Sequence, residues 1–479
     1  MRNRVVLWSV PHGAAAGNVI RTGVLKHVLE ADPSVQIVLL SPMVKDPAFL
    51  AEIAHPRVRV QDLPPHRPRG LEARLMALMQ AGYLDSGISD SVRIRKAEAL
   101  ADGTIRWIRP KRLLAQAIAP SLVRKESRYA LIDRLVTHPS AEQLFDEHQP
   151  TLLVTASPGL ILAEVPLLRT AVRRGVFTMA IDPSWDNFTN KLLPVRRVSR
   201  LLVWNDIMRQ QAIEYHGYAR DEIGLVGVAQ WDHYFRDRVA ISREEFFIRI
   251  GADPSKKLVA LTTTPRELYE HHDHVLRVLA RAVRDNAWGQ PVQVLVRLHP
   301  RDELSHYTEF EHVDGVILEK PFRQTVRAGD GLAVDVTLES QKHLAATMCY
   351  SDVVVNVAST IVLEAAIFDT PIVNIAFDGE TGTDAAVSAR RYYNFTHYRN
   401  VTRHGAVRVA WSPAELVDRV GEYLLTPSAD AAARRRVVAE QCQFLDGRSA
   451  QRMAGAIVEE LDRLSPRSAS ERTEHSSCA

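Results

Sequence analysis

Apolar runs alternate with segments of helical period along most of the chain. The first 65 residues contain strand-like runs at Val5–Val10, Val35–Ser41 and Val58–Leu63, with a helical pattern over Val19–Ala31 between the first two. Short, nearly continuous apolar strands that alternate with helices are typical of a parallel sheet covered on both faces. The pattern therefore predicts an α/β fold.

The alternation resumes after about residue 138 and starts afresh near Lys257. Further strand-like runs are "TLLVTAS", "VFTMAID", "RLLVWN", "KLVALTTTP", "VQVLVRLHP", "SDVVVNV" and "PIVNIAF". We expect two Rossmann-like domains facing across a cleft, an N-terminal acceptor domain at 1–235 and a C-terminal nucleotide-donor domain with terminal helices at 236–464. The polar, apolar-poor stretch 465–479 is expected to be disordered.

A basic segment interrupts the first block at about 67–138. Between residues 67 and 134 there are 14 Lys and Arg against 7 Asp and Glu, an excess of seven in a chain whose net charge is only +3. The stretch "TIRWIRPKRLLAQAI" mixes these cations with Trp107, Ile105 and Ile108. It is either a solvated helical insertion or a surface that contacts an anionic membrane or a phosphorylated acceptor.

Composition and absent motifs exclude several classes of protein. Three widely spaced cysteines fit a reducing compartment, and no apolar run is long enough for a signal peptide or a membrane span. We therefore expect a cytoplasmic protein, and peripheral contact with the inner face of the membrane is compatible with this expectation. Fingerprints of NAD enzymes, P-loop NTPases, α/β-hydrolases and zinc ribbons are missing. The set Glu270–His274 begins a helix and is expected to be solvated, so neither a metal nor a cofactor is predicted.

A hydroxyl pair joins a predicted buried strand to a predicted helix at Ser359–Phe368. Ser359 and Thr360 lie at the turn, where free N–H groups and the helix dipole attract an anion. Glu364 is one helical turn further on, within reach of a ribose hydroxyl. The competing interpretation is that the hydroxyls only cap the helix and Glu364 is exposed.

Cations and an imidazole follow the other strands of the second block. Arg297 and His299 end the strand "VQVLVRLHP", and Arg266 follows "LTTTP". These groups suit the diphosphate of a nucleotide donor. His299 could instead be a buried histidine that the backbone satisfies.

The segment "DPSWDNFTNK" follows a strand of the first block. Asp182 or Asp186 could act as the general base for an acceptor hydroxyl, and Trp185 could stack on a sugar. Asn187 and Lys191 complete the predicted acceptor site. A simple capped loop would also explain these residue types.

His12 and Asn18 follow the first strand and should face the same cleft. We predict a catalytic role for His12 and acceptor binding by Asn18, with a glycine-rich turn as the alternative.

The strand end "R-x-H-P" and the pattern "SD-apolar-ST-x3-E-A-A-x4-P-apolar" resemble the donor domain of GT-B glycosyltransferases and their relatives. These relatives include CDP-glycerol glycerophosphotransferases and non-hydrolysing UDP-GlcNAc 2-epimerases. "VSRLLVWNDIMRQQAIEYHGY" and "VGVAQWDHYF" are similar to bacterial proteins of the surface-polysaccharide type. The resemblance covers most of 4–445 apart from the basic insertion.

The resemblance implies a metal-independent GT-B glycosyltransferase. It would move a sugar from a nucleotide-activated donor, which is a substrate and not a cofactor, to a cell-surface polysaccharide or glycolipid, and no nucleic acid is expected as a partner. The alternatives are a CDP-glycerol or ribitol type of polyol-phosphate transferase, a UDP-sugar 2-epimerase and a non-catalytic assembly scaffold. Where the glycerophosphotransferases carry a Trp-His-Gly motif, this chain has "DPSWDNFTNK", and it lacks the Gly-Thr-Arg-Pro turn of the epimerases.

Overall fold

The computed structural model describes residues 4–101, 103, 132–191, 194, 196–321, 323–324, 334–379 and 388–465. The stretch that mixes Trp107 with cations and nearly all of the predicted disordered tail lie outside these residues. None of the helices in the described ranges combines the length and the apolar character needed to cross a bilayer.

The first sheet holds, among the described residues, seven parallel strands in the order β3-β2-β1-β4-β5-β6-β7. Their bounds are β1 Arg4–Ser9, β2 Val35–Leu40, β3 Val58–Gln61, β4 Leu152–Thr155, β5 Phe177–Ile181, β6 Arg200–Val203 and β7 Ile223–Leu225.

The second sheet is also parallel and has, in the same described part of the chain, six strands in the order β10-β9-β8-β13-β14-β15. Its strands, and the antiparallel pair β11–β12 outside it, are β8 Lys257–Thr262, β9 Val292–Arg297, β10 Val316–Glu319, β11 Arg323–Gln324, β12 Val334–Asp335, β13 Val353–Asn356, β14 Ile372–Ile375 and β15 Arg408–Ala410. The predicted α/β class with two Rossmann-like sheets is confirmed.

The helices that accompany the first sheet are α1 Gly13–Val19, α2 Val24–Ala31, α3 Pro47–Glu52, α4 Gly70–Ser86, α5 Asp90–Ala101, α6 Pro139–His148, α7 Val165–Arg173, α8 Asn187–Asn190 and α9 Asp206–His216. Those from the connecting segment onward are α10 Asp232–Arg236, α11 Arg243–Ile250, α12 His272–Arg284, α13 Leu338–Tyr350, α14 Ile361–Ile367, α15 Thr396–Thr402, α16 Pro413–Leu425, α17 Ala431–Cys442 and α18 Ser449–Leu464.

Burial explains why these apolar runs form strands. Every residue of β4, β9, β13 and β14 is buried, as expected for central parallel strands that helices cover on both faces. Helix α12 is amphipathic and buries Val275, Leu276 and Leu279, which are spaced for one helical face.

The last helix packs against the first sheet and not against the second, which differs from the expected assignment of the terminal helices to 236–464. Its residues Met453, Ile457 and Leu461 are buried in the same core cluster as Val24 and Val28 of α2. They lie at i, i+4 and i+8, so they form one apolar stripe that needs an apolar partner. The chain therefore returns to its first lobe after completing the second.

In each sheet the order in which the chain adds strands reverses at one place, and the candidate ligand site lies at that place. In the second sheet the chain moves outward from β8 through β9 to β10 and then restarts at β13 on the other side of β8. The corresponding switch in the first sheet lies between β1 and β4. In open parallel sheets, ligands bind in the crevice at the carboxyl ends of such strands.

Candidate active site

The switch point of the second sheet is lined by hydroxyl-bearing residues. Asn356 at the end of β13 is paired with Thr262 at the end of β8. Thr263 and Thr264 continue beyond β8, while the half-buried Ser359 and Thr360 follow β13. The predicted hydroxyl turn therefore lies at the topological position where a ligand is expected.

The turn at Ser359 and Thr360 is also stabilised by hydrogen bonds within the protein. The Ser359 Oγ atom accepts a hydrogen bond from the Ile361 N–H group at 3.4 Å. The Tyr398 hydroxyl, which donates to Asn374 Oδ1 at 2.6 Å, also contacts the Ser359 backbone. Capping and ligand binding are compatible here, because Ser359 and Thr360 keep part of their surface exposed.

His299 follows β9, which lies on the other side of β8 from β13. Its backbone N–H donates to Thr263 Oγ1 at 2.8 Å, and its ring Nδ1 accepts the Arg301 N–H at 3.1 Å. Burial lowers the pKa of His299 to about 4, so the ring is neutral at pH 7. With Nδ1 as the acceptor, the proton of the neutral ring resides on Nε2, which makes Nε2 a hydrogen-bond donor.

Arg266 follows β8 and is half-buried. Its guanidinium lies close enough to His272 and Tyr307 to influence their charges. His272 accepts the Thr264 N–H at 2.8 Å, which fixes the loop that carries Arg266. Arg266 and His299 are thus two donors at the ends of adjacent strands.

Arg297 does not occupy the predicted position at a diphosphate. Its side chain is 4% exposed and donates to Glu319 Oε1 at 2.7 Å. Glu319 also contacts His343 at 2.8 Å. The pairing follows from the register, in which Arg297 of β9 is directly opposite Glu319 of β10. Arg297 therefore belongs to a buried ion pair within the sheet, which corrects its assignment as a donor-binding residue.

Glu364 is likewise not available to a ribose. It is 8% exposed, and its Oε2 atom accepts a 2.5 Å hydrogen bond from the Tyr234 hydroxyl in α10. Burial raises the pKa of Glu364 to about 7, against smaller opposing effects of Tyr234 and Arg297. The alternative interpretation, in which Glu364 is exposed, is wrong as well, because the side chain is buried against a tyrosine of the segment between the sheets.

The loop after β5 carries two neighbouring carboxyl groups, Asp182 and Asp186, whose pKa values differ. Burial raises the pKa of Asp182 to about 7, and its Oδ1 atom accepts hydrogen bonds from the Ser184 N–H at 3.0 Å and from Asn187 Nδ2 at 2.6 Å. Burial opposes ionisation of Asp186, but the Lys191 ammonium and hydrogen bonds hold the pKa of this carboxyl well below its ordinary value. Two neighbouring carboxyls with separated pKa values are a common acid–base arrangement.

The predicted acceptor residues of this loop fall into two groups. Trp185 is 4% exposed, and its ring packs edge-on against His397 at 5.2 Å and Tyr398 at 6.0 Å. It therefore contacts the other lobe, which corrects its assignment as a sugar-stacking platform. Asn187 is buried as the partner of Asp182, whereas Lys191 is exposed.

His12 caps helix α1, and its Nδ1 atom accepts the Ala15 N–H at 3.1 Å. Burial lowers the pKa of His12 to about 4, so Nε2 carries the proton of a neutral ring and acts as a donor. This geometry does not suit a general base, so the catalytic role predicted for His12 is limited to donating a hydrogen bond. The half-buried Asn18 lies at the end of the same helix.

The glycines after β1 have a packing role. A Cβ on Gly13 would lie 2.2 Å from the Val334 carbonyl oxygen, and one on Gly17 would lie 3.1 Å from the Val336 side chain. Arg21 also binds Asp335 at 2.5 Å. The turn therefore receives a segment of the second lobe at close range.

Sequence reasoning missed the contribution of residues 388–402. His397 approaches Thr189 Oγ1 at 3.4 Å, Ser91 and Thr396 exchange hydrogen bonds, and Arg391 pairs with Glu98 at 2.6 Å. The aromatic-rich string "RRYYNFTHYRN" was the available signal. These contacts show that the second lobe packs directly against the loop containing Asp186.

Two parallel Rossmann-like sheets in one chain are the architecture of the GT-B fold, and solved structures share it. A putative UDP-N-acetylglucosamine 2-epimerase from Listeria monocytogenes is 11% identical with a TM-score of 0.56, over 96% of this chain and 97% of that one. A UDP-GlcNAc 2-epimerase from Neisseria meningitidis, bound to UDP-GlcNAc, is 9% identical with a TM-score of 0.53, over 96% and 99%. The wall teichoic acid polymerase TagF is 9% identical with a TM-score of 0.50, over 96% and 89%.

A family model assigns the chain more narrowly. Residues 176–459 match the model for CDP-glycerol:poly(glycerophosphate) glycerophosphotransferase. The chain belongs to this family, as its resemblance implied. A comparison with curated protein sequences finds no match.

Proposed function

We propose that the chain transfers a phosphorylated polyol from a nucleotide-activated donor, of the CDP-glycerol class, to a growing cell-surface polymer. The family match over 176–459 carries this proposal. The polar crevice at the β8–β13 switch supplies a place for the donor, since anionic ligands bind at such strand ends.

The donor diphosphate would be held by neutral and cationic donors of the second lobe. His299 Nε2 and the Arg266 guanidinium donate to phosphate oxygens, and Ser359 and Thr360 add hydroxyls. Arg297 and Glu364 stabilise the floor of the crevice through their buried partners. Preorganised donors of this kind stabilise the charge that develops on a leaving phosphate.

The acceptor would approach from the first lobe, along the loop after β5. Asp186 is half-buried and ionised, and Lys191 beside it is exposed. A carboxylate with a low pKa is a weak base, so Asp186 orients the acceptor hydroxyl by accepting its hydrogen bond. Asp182, buried beneath it, holds the loop through Ser184 and Asn187. The neutral His12 donates a hydrogen bond and does not remove a proton.

Closure of the two lobes would exclude water from this crevice and so favour transfer over hydrolysis. Asp186 and the residues around His397 already face each other across the lobes. Transfer to such a polymer would put the protein in the cytoplasm, in peripheral contact with the inner face of the membrane.

Sugar transfer is the second candidate, and one observation favours it. The loop "DPSWDNFTNK" has no histidine where the resembling glycerophosphotransferases carry a Trp-His-Gly motif. A glycosyltransferase of the same fold would use the same donor crevice with a nucleotide-sugar.

One experiment tests both candidates. The purified chain is mixed with CDP-glycerol, CDP-ribitol, UDP-sugars or GDP-sugars and a lipid-linked saccharide acceptor, and products are analysed by mass spectrometry. A phosphodiester product supports polyol-phosphate transfer, and a glycosidic product supports the second candidate. Absence of binding to all of these nucleotides, measured by calorimetry, would refute both.

Transfer should not require a divalent cation at the donor. Arg266 and His299 provide the positive charge and hydrogen bonds that a metal would otherwise supply. The transfer rate should stay the same whether Mg²⁺ or Mn²⁺ is added or withheld, and a strict requirement for either ion would contradict this part of the proposal.

A further inference from the structure

A cluster of metal-ligating side chains lies at the base of the segment 67–138, away from the residues discussed so far. His66 Nε2 is 3.1 Å from Glu72 Oε2, and His138 Nε2 is 3.5 Å from Glu72 Oε1. The three ligand atoms all lie within 4.8 Å of one another. The two imidazole rings are edge-to-face, with centroids 5.1 Å apart.

Hydrogen bonding within the protein leaves part of this cluster unsatisfied. The side chains of Glu72 and His138 are 7% and 9% exposed. In the described part of the chain, Glu72 Oε1 and His138 Nε2 are buried without a hydrogen-bond partner. Buried polar atoms without partners are rare and costly, so two of them that face each other indicate an unseen ligand.

The spacing suits a tetrahedral ion. With bonds of about 2.0–2.1 Å from zinc to nitrogen or oxygen, ligand atoms on a tetrahedron lie roughly 3.3 Å apart. His66 Nε2 lies 3.1 Å from one oxygen of Glu72 and His138 Nε2 lies 3.5 Å from the other. The three ligand atoms lie within 4.8 Å of one another, so a small movement of the side chains would bring them to this spacing. Two imidazoles and one carboxylate are also a donor set that zinc commonly uses, with the fourth position open to water.

The charges around the carboxylate allow it to act as a ligand. Each oxygen of the Glu72 carboxylate faces one of the two imidazoles, so a cation held between these groups would contact a negative charge. Arg169, whose side chain is 1% exposed, lies 3.8 Å from Glu72 Oε1. Its positive charge opposes a second cation and is offset in part by the Asp133 carboxylate, which also lies 3.3 Å from Arg196.

The position in the fold gives the site a purpose. His66 precedes α4, Glu72 is in its first turn, and His138 is the residue just before α6. The three residues therefore connect the point where the chain leaves the first sheet after β3 with the point where it returns before β4. An ion bound here would link the two ends of the 67–138 segment.

We propose that His66, Glu72 and His138 bind a zinc-class divalent transition metal that fixes the base of the 67–138 segment. This metal is structural, and the proposal is independent of the transferase activity.

The test measures metal content and stability of the full chain. Protein produced with zinc in the medium should contain one equivalent by mass spectrometry, and removal of the metal by a chelator should lower its melting temperature. His138→Ala and Glu72→Gln should lose the metal and the chelator-dependent shift. His27→Ala is the matched control, because His27 pairs with Glu30 at 3.2 Å and no described residue completes a three-ligand group with them.

Cobalt substitution keeps the test informative even if a variant fails to fold. Co²⁺ added to the metal-free wild-type chain should give the intense visible absorption of tetrahedral coordination. Wild-type protein without metal, without a chelator effect and without this absorption would overturn the proposal. Retention of the metal by folded His138→Ala would overturn it as well.

Discussion

The hydroxyl of Tyr234 donates a 2.5 Å hydrogen bond to Glu364, 130 residues further along the chain. Tyr234 belongs to the short helix that follows the first sheet, and Glu364 to the helix after β13 of the second. Both side chains are buried, at 3% and 8% exposure. The contact ties the connection between the lobes to the helix whose first turn borders the proposed donor crevice.

Replacement of Glu364 by Gln should change how stability depends on pH. The pKa of Glu364 is about 7 in the folded chain against an ordinary 4.5, so the folded state binds this proton more tightly than the unfolded state. Stability from this group is fully present below about pH 4.5 and is lost as the pH rises to 7, at a cost on the order of 3 kcal/mol.

Glu364→Gln keeps a hydrogen-bond acceptor for Tyr234 but cannot ionise. Its stability relative to wild type should therefore increase by up to about 3 kcal/mol between pH 5 and pH 8 in urea unfolding. The exposed Glu214→Gln on α9 should show no such trend. An unchanged difference across this range would contradict the buried, proton-binding Glu364.

Removal of the His299 imidazole should lower the catalytic efficiency with the nucleotide donor. A hydrogen bond to a charged phosphate contributes about 1.5–3 kcal/mol, so His299→Ala should lower kcat/KM by roughly 10- to 150-fold. The exposed His312→Ala should retain wild-type kinetics. Because the pKa of His299 is about 4, the affinity for donor should not show a histidine titration between pH 6 and 8. A donor affinity that is the same in His299→Ala would remove this residue from the site.

Asp186→Asn should slow transfer while leaving donor binding intact. Loss of the charged acceptor for a substrate hydroxyl should reduce kcat by roughly 10- to 100-fold. Nucleotide affinity, measured by calorimetry, should stay within error of wild type because the donor crevice lies on the other lobe. Asp418→Asn, an exposed position on α16, serves as the control. Normal turnover in Asp186→Asn would contradict the proposed acceptor site.

Gly13→Ala should disturb the contact between the lobes. The new Cβ would lie 2.2 Å from the Val334 carbonyl oxygen, so the backbone of one lobe must move. We expect a loss of about 1–3 kcal/mol in unfolding free energy, typical of overpacking. Gly455→Ala in α18 has open space around it and should stabilise the chain by up to about 1 kcal/mol. Equal stability of the two variants would disprove the close packing at Gly13.

The alternation of apolar runs was enough to predict both sheets, because parallel strands buried on two faces leave a clear pattern in the sequence. It also located the hydroxyls of Ser359 and Thr360 and the imidazole of His299 at strand ends. These predictions depend only on local sequence and on the rule that parallel strands end at the same edge.

The partners of the polar side chains could not be predicted in this way. Arg297 faces Glu319 because of the register of β9 and β10, and Trp185 is covered by His397, more than 200 residues later. Such pairings depend on how distant segments pack. A lone charge in an apolar helix, as at Glu364, indicates that the side chain has a buried partner, but the sequence does not say which residue that partner is.

The chain passes between its lobes at two points that share an anchor. Both oxygens of Asp232, just after the first crossing, accept the N–H groups of Ser449 and Ala450, just after the second, at 2.9 and 2.8 Å. The first lobe cut out as one contiguous stretch would be incomplete, because residues 1–228 would lack the C-terminal helix that covers their apolar surface. The first lobe should therefore fold only when residues 1–228 are expressed together with the C-terminal helix. Any bending between the lobes must occur where the two connections meet, at the contact of Asp232 with Ser449 and Ala450.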